Sequence, residues 1–195
     1  MTLNLAIFAS GGGSNARKII EHFASLSDLR VALVVCNKKN AGVLDIAAEH
    51  GIPTLLIDRA SFYETDDILE ELRNRSVDFI ALAGFLWLAP GYLVQAFPRR
   101  MLNIHPALLP KYGGKGMYGH YVHEAVKAAG DTVSGPSIHF VTEHYDEGDI
   151  VHQVSTHLAP EDTPDDIARK VLALEHAHYA EVVERCMREA GRLVG

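Results

Sequence analysis

Apolar runs of strand length alternate with segments of helical period along the first hundred residues, and no other feature constrains the fold as tightly. The runs 3–9, 31–36, 54–57, 79–83 and 101–104 are nearly continuous in apolar side chains, as strands buried on both faces must be. Between them, residues 16–24, 43–50 and 66–73 carry apolar positions at helical spacing. Strand–helix–strand order of this kind gives an α/β fold: a doubly wound, mostly parallel sheet with right-handed crossovers. Beyond residue 130 the pattern changes. Residues 137–142 and 150–157 read as two strands joined by a polar loop, an antiparallel hairpin at the sheet's edge. Thr163 is placed to cap a long C-terminal helix, with Pro164 at its first position and Asp165 and Asp166 in its first turn. Ile167, Val171 and Leu174 mark the inner face of that helix, continued by Val182 and Cys186. No linker divides the chain, so residues 1–195 read as a single domain.

A formal net charge of −7 argues against a broad nucleic-acid or anionic-membrane surface. It leaves room for an anionic small molecule, because one helix N-terminus can hold a phosphate in an acidic protein. Cys36 and Cys186 sit in apolar surroundings without a C-x-x-C pairing, which predicts buried thiols in a reducing compartment. The first apolar run is too short and lacks the basic flank of a secretory signal, and no stretch is long enough to span a bilayer. The expected location is the cytoplasm.

Open α/β sheets bind ligands beyond the carboxyl ends of their strands, and two motifs fall there. Ser10-Gly11-Gly12-Gly13-Ser14-Asn15 follows the first strand and opens the first helix. Its glycines let backbone N–H groups approach an anion closely, and the helix dipole favours negative charge at that end. A dinucleotide site would want an acid after the second strand, where this chain has Cys36-Asn37-Lys38-Lys39. A Walker A loop would need a Gly-Lys-Ser/Thr that is missing here.

The second motif is Asn103-Ile104-His105-Pro106. Residues two apart in a strand share a face, so Asn103 and His105 present an amide and an imidazole together, and Pro106 ends the strand beside them. A neutral donor next to a titratable one suits a carbonyl oxygen that gains negative charge during reaction. Asp146 lies in the loop between the two late strands, where an aspartate is most often a turn former. If that loop folds over the fifth strand, its carboxylate favours the imidazolium form of His105 and raises its pKa. Glu175 falls near the buried side of the last helix. His120, His123, His176 and His178 lack the partners of a tetrahedral site, so no metal is expected. Four glycines within residues 113–119 read as a lid following the Asn-x-His segment.

These segments together resemble the folate-dependent phosphoribosylglycinamide formyltransferases over essentially the whole chain. The resemblance rests on residues 10–15, Leu82-Ala83-Gly84-Phe85, Asn103 through Tyr112, residues 137–142, Asp146 and Glu175-His176. It implies transfer of the formyl group of 10-formyltetrahydrofolate to the amine of 5′-phosphoribosylglycinamide, a step of purine biosynthesis, in a monomer or homodimer. Carried over by position, His105, Asn103 and Asp146 form the catalytic trio. Gly13, Ser14, Asn15 and Glu175 hold the ribonucleotide. Leu86, Trp87, Leu88 and Ala89, with Asn103, Thr142, Glu143, His144, Tyr145 and Asp146, line the folate pocket. Phosphate binding is thus assigned to a half spanning about 1–100 and folate binding to about 101–195. Leu86-Trp87 replaces the frequent Met-Arg, and Glu64-Thr65-Asp66 replaces the frequent Ser-Arg-Glu, so neither arginine contact to folate is carried over. Another formylfolate-using transferase or hydrolase is the nearest alternative, and a non-catalytic nucleotide-binding module is the alternative from a different class.

Overall fold

A computed structural model describes residues 2–192. Strand β1 (Leu3–Ala9) leads to helix α1 (Ser14–Phe23), followed by β2 (Leu29–Cys36), α2 (Gly42–Glu49) and β3 (Thr54–Leu56). Helices α3 (Arg59–Tyr63) and α4 (Asp67–Asn74) precede β4 (Phe79–Leu82), and α5 (Gly91–Ala96) precedes β5 (Met101–His105). The remainder comprises α6 (His120–Ala129), β6 (Val133–Ser134), β7 (Ser137–Phe140), β8 (Ile150–Gln153), β9 (Thr156–His157) and α7 (Pro164–Arg192). Seven strands form one sheet in the order β3-β2-β1-β4-β5-β7-β8. β1 to β5 run parallel, and β7 and β8 add antiparallel at one edge. This is the doubly wound sheet with a late edge hairpin that the periodicity predicts.

Alternation along β1 shows how the sheet is covered on both faces. Leu5, Ile7 and Ala9 pack into one core with Ile19 and Phe23 of α1, Val43 of α2 and Val183 of α7. Ala6 and Phe8 enter a second core with Phe62 of α3, Leu72 of α4 and Leu93 of α5. Each fully buried large side chain contributes about 1.5–3 kcal/mol relative to exposure. A strand with both faces covered has no polar side to display, which explains the unbroken apolar runs.

The structure corrects the sequence reading in three places. The run expected as one strand over 150–157 is two: Thr156 and His157 leave the sheet and pair with β6 in a separate two-stranded ladder. Three helices (α3, α5 and α6) fall in segments to which the sequence reading assigns no element, although Val122, His123 and Val126 of α6 stand at helical spacing. On α7 the buried stripe runs Ile167, Val171, Glu175, Tyr179, with Leu174 only half-buried. Glu175 thus occupies an inner position that the pattern assigns to a leucine. The cap of α7 is as expected: Asp166 N–H donates to Thr163 Oγ1 at 3.2 Å, and Thr163 N–H returns to Asp166 Oδ2 at 2.9 Å.

Tyr179 ties this helix to the sheet. Its ring is fully buried, and its hydroxyl proton is shared between the carbonyls of Leu82, at 2.8 Å, and Leu102, at 3.3 Å. Leu82 closes β4 and Leu102 lies beside it near the start of β5, so α7 is tied to two paired strands whose carboxyl ends border a cavity. Tyr179→Phe keeps the ring and removes the donor, and should lower stability by about 1–2 kcal/mol. A denaturant titration reads this as a lower midpoint at unchanged slope; an unmoved midpoint would show that the hydroxyl contributes nothing net.

Candidate active site

A cavity of about 660 Å³ opens along the carboxyl ends of β1, β4 and β5. Asn15 and Glu175 line it on one side, Leu86, Trp87, Leu88 and Ala89 on another, and the loop from Thr142 to Asp146 on a third. Asn103 and His105 line it as well, as do residues 114–119 of the glycine-rich loop. That loop therefore lies beside the Asn-x-His segment, where the sequence reading put a lid.

Strand pairing assembles the polar centre. In the β5–β7 ladder Asn103 faces His139 and His105 faces Ser137. Asn103 Nδ2 donates to His139 Nε2 at 3.1 Å and points its other proton toward Asp146 Oδ1 at 3.5 Å. His139 Nδ1–H donates to the Phe140 carbonyl at 2.9 Å. Ser137 Oγ donates to the Ala107 carbonyl at 2.6 Å and accepts from Leu109 N–H at 2.9 Å, fixing the turn that follows Pro106.

Asp146 sits with φ of +58°, a left-handed conformation that aspartate tolerates better than most residues. Its Oδ2 accepts from Gly114 N–H at 2.9 Å and lies 3.5 Å from His105 Nδ1. Burial works to raise the Asp146 pKa, but the approach of His139, the charge of His105 and the Gly114 N–H outweigh it and hold the carboxyl below its ordinary value. Asp146 is therefore ionised at neutral pH.

His105 is 4 % exposed, and its Nε2–H donates to the Tyr112 carbonyl at 2.7 Å. A carbonyl only accepts, so this nitrogen carries a proton and Nδ1 is the one turned toward Asp146. Burial lowers the His105 pKa, Asp146 and the Tyr112 carbonyl raise it, His139 lowers it, and the net position is below the ordinary histidine value. The carboxylate alone would raise it, as the sequence predicts. Desolvation of the cation outweighs the carboxylate at 3.5 Å, so the resting ring is mostly neutral at pH 7.

At the other side of the cavity Asn15 Nδ2 donates to Glu175 Oε2 at 2.6 Å. Burial pushes the Glu175 pKa up to about 7, against the opposing hydrogen bond from Asn15. Gly13 and Ser14 lie outside the cavity lining, at the N-cap and first position of α1. Gly13 has φ of +79°, and a Cβ there would meet the Val43 Cα at 2.8 Å. Packing against α2 thus requires glycine at residue 13 whether or not an anion binds. Gly11 and Gly12 border open space.

Glu143 departs from its expected place in the folate wall: it is absent from the lining, and its Oε1 accepts from Gln95 Nε2 of α5 at 3.2 Å. Trp87 joins Phe62, Tyr63 and Phe85 in an aromatic cluster. The Arg59 guanidinium lies 5.4 Å from the Tyr63 ring centre and 6.0 Å from that of Trp87. Residues 64–66 offer no arginine, and Arg59, at the start of α3, stacks on these rings without lining the cavity. The sequence reading also missed His139 and His123 of the cavity lining, the latter with its pKa lowered to about 4 by burial, then by His120 and His105. Only the β5–β7 register could have singled out His139. Among the described residues no group of three or more His, Cys, Asp or Glu side chains could hold a metal ion.

Comparison with known proteins identifies the family to which the chain belongs. The formyl transferase family profile matches residues 3–183. The chain is 49% identical over 185 residues to a chloroplastic phosphoribosylglycinamide formyltransferase of Arabidopsis thaliana, covering 92% of this chain but 63% of that relative. It is 35% identical to the phosphoribosylglycinamide formyltransferase of Bacillus subtilis, with 93% of each chain covered. The crystal structure of the Brucella melitensis phosphoribosylglycinamide formyltransferase superposes with a TM-score of 0.86 at 33% identity, covering 96% of both chains. On this sequence match and shared fold, the chain belongs to the formyl transferase family and, within it, to the phosphoribosylglycinamide formyltransferases.

Proposed function

We propose that this protein transfers the formyl group of 10-formyltetrahydrofolate to the primary amine of 5′-phosphoribosylglycinamide, serving purine biosynthesis. The observation that carries the reading is the convergence of Asn103, His105 and Asp146 on one cavity. That cavity reaches from Asn15 and Glu175 to the walls at residues 86–89 and 142–146. The ribonucleotide phosphate would take the N-terminus of α1 at Gly13 and Ser14, with Asn15 and Glu175 meeting the polar groups nearer the amine. Folate would lie against Leu86 to Ala89 and the Thr142–Asp146 loop. Phosphate contacts would thus come mainly from the first half of the chain, and the groups around the reacting centre from the second. Two buried cysteines, both free, suit a reducing compartment, for which we favour the cytoplasm.

Direct attack by the amine on the formyl carbon places negative charge on the formyl oxygen and positive charge on nitrogen. The Asn103 amide is a neutral donor for that oxygen once the N–H directed at Asp146, its longer contact at 3.5 Å, turns to it, and one such donor is typically worth about 3–4 kcal/mol of barrier. A mostly neutral His105 can take up transiently the proton released by the amine and return it for the departing folate nitrogen, since a second anion beside the ring favours the imidazolium that Asp146 already supports. One proton leaves the glycinamide nitrogen and one reaches the departing folate nitrogen, relayed by water ordered at Asp146.

Spectroscopic measurement of tetrahydrofolate release tests the reading. Release should require the ribonucleotide, and a folded His105→Asn protein should turn over about 10²–10⁴-fold more slowly. Release at full rate without the ribonucleotide would make the protein a hydrolase.

Asp146→Asn removes one of the influences that hold the His105 pKa up, so NMR titration should find the ring protonating at still lower pH. Superimposable titration curves would show that Asp146 is not its electrostatic partner.

Glu175 offers a pH test with the opposite sign. A folded carboxyl pKa of about 7 against an ordinary 4.5 means that the folded state binds the proton more tightly than the unfolded chain. This cost to stability is absent below the unfolded pKa and grows as pH rises to about 7, reaching roughly 3 kcal/mol at most. Glu175→Gln should therefore stabilise the protein at pH 8 more than at pH 4.5, while weakening ribonucleotide affinity. Equal changes in melting temperature at both pH values would mean that Glu175 is not buried as a charge.

A further inference from the structure

Tyr112 opens the glycine-rich loop with φ of +56°, a left-handed conformation rarely adopted by a residue of its size unless the surroundings enforce it. Two anchors act on its side chain. The ring packs against Val126, Leu158, Ile167 and Val171, the small apolar cluster joining α6 to α7. The hydroxyl donates to Asp131 Oδ2 at 2.9 Å, and the same oxygen accepts from Lys111 Nζ at 3.2 Å. On the opposite side of the residue, its backbone carbonyl accepts the His105 Nε2–H at 2.7 Å. Tyr112 and Asp131, with Lys111, line a separate recess of about 290 Å³, so Asp131 has no direct access to the larger cavity.

We propose that Asp131 is a positioning residue for His105: by holding the Tyr112 hydroxyl it fixes the strained peptide whose carbonyl orients the imidazole. The consequence is chemical as well as steric. A carbonyl held at 2.7 Å requires Nε2 to carry the proton, and so decides that Nδ1 is the nitrogen available on the Asp146 side. When the carbonyl drifts, the neutral ring becomes free to move its proton to Nδ1 and donate to Asp146, reversing the two nitrogens. Both partners of the latch keep their roles across the neutral range. The Tyr112 hydroxyl and Lys111 hold the Asp131 pKa below its ordinary value. Burial and then Asp131 raise that of Tyr112, so the phenol remains a donor.

The other groups acting on the His105 ring are Asp146, which favours its charged form, and His139, which opposes it; the ring of His105 in turn acts on His123. None of these touches Asp131 or the Tyr112 hydroxyl, although Gly114, two residues beyond Tyr112, donates to Asp146 Oδ2 at 2.9 Å. Of the measured changes, the tautomer of His105 reports on the Tyr112 carbonyl directly, since that carbonyl is the partner of Nε2. A change in turnover follows only if the formyl-transfer reading holds, whereas a change in the imidazole's tautomer and titration follows from the latch alone.

Tyr112→Phe, Asp131→Ala and Asp131→Asn, together with the double variant Tyr112→Phe/Asp131→Ala, separate the possibilities. Nitrogen-15 NMR of the His105 ring should find a single Nε2–H tautomer in the parent protein. Tyr112→Phe and Asp131→Ala should each give a mixture of tautomers and protonation at lower pH. In the formyl-transfer assay each should lower kcat by about tenfold, the scale of one positioning hydrogen bond, with KM nearly unchanged. The double variant should fall no further than either single one, and Asp131→Asn, which keeps an acceptor for the phenol, should recover most of the loss. A folded Tyr112→Phe protein with the parent tautomer and titration would overturn the proposal, because ring packing alone would then hold the carbonyl in place. If the parent protein transfers no formyl group, the functional reading fails by itself, and the NMR comparison still supports or overturns the latch.

Discussion

Asn103 lies opposite His139, and His105 opposite Ser137, across the antiparallel ladder that β7 makes with β5. Cross-strand neighbours in such a ladder stand about 5 Å apart at Cβ, which brings the Asn103 amide to His139 and lets Ser137 hold the chain just past Pro106. The same ladder decides where the loop from β7 to β8 begins, and hence where Asp146 can reach. A slip of one residue would turn Asn103 and His105 to the opposite face of the sheet and Asp146 away from both. The buried partners of β5 prevent that slip: Leu102 and Ile104 belong to the core beneath α7, and moving them outward would forfeit their burial.

Within that frame the electrostatics are a contest between desolvation and proximity, resolved differently at each group. At His105 burial prevails over a carboxylate 3.5 Å away. Asp146, surrounded by donors, stays ionised although burial opposes it. At Glu175 one amide donor cannot offset burial, and the carboxyl is left titrating at about 7. A neutral imidazole next to an anion is a group ready to take up a proton once further negative charge appears, which suits a reaction that forms an oxyanion.

Helix α7 serves both stability and the site by the same geometry. Its buried stripe advances four residues at a time, and the polar member of that stripe is Glu175, between Val171 and Tyr179. Tyr179 hydrogen-bonds the last residue of β4 and the second residue of β5, which lie side by side. The residue one helical turn earlier is thereby carried to the rim of those strands, where it meets Asn15 from the first turn of α1. A glutamate here costs folding free energy that accrues as pH rises from the ordinary 4.5 to about 7, at a position where an apolar side chain would stabilise the fold more.

The order of apolar runs and helical segments determined the doubly wound sheet, because burial on both faces leaves a signature that local sequence displays. The Asn-x-His-Pro segment likewise announced itself, since two residues of one strand share a face whatever the strand pairs with. The Thr163 cap was legible because its hydrogen bonds span three residues. His139, Arg59 and the Tyr112 carbonyl were not, because each takes its place through contacts that local sequence does not encode. His139 depends on strand register, Arg59 on the packing of α3 beneath Trp87, and Tyr112 on a backbone conformation that no composition specifies. The sign of the His105 pKa shift also belonged to the tertiary structure alone: sequence supplies the opposing carboxylate, but only the fold sets how much water is excluded, and here that exclusion outweighs the charge.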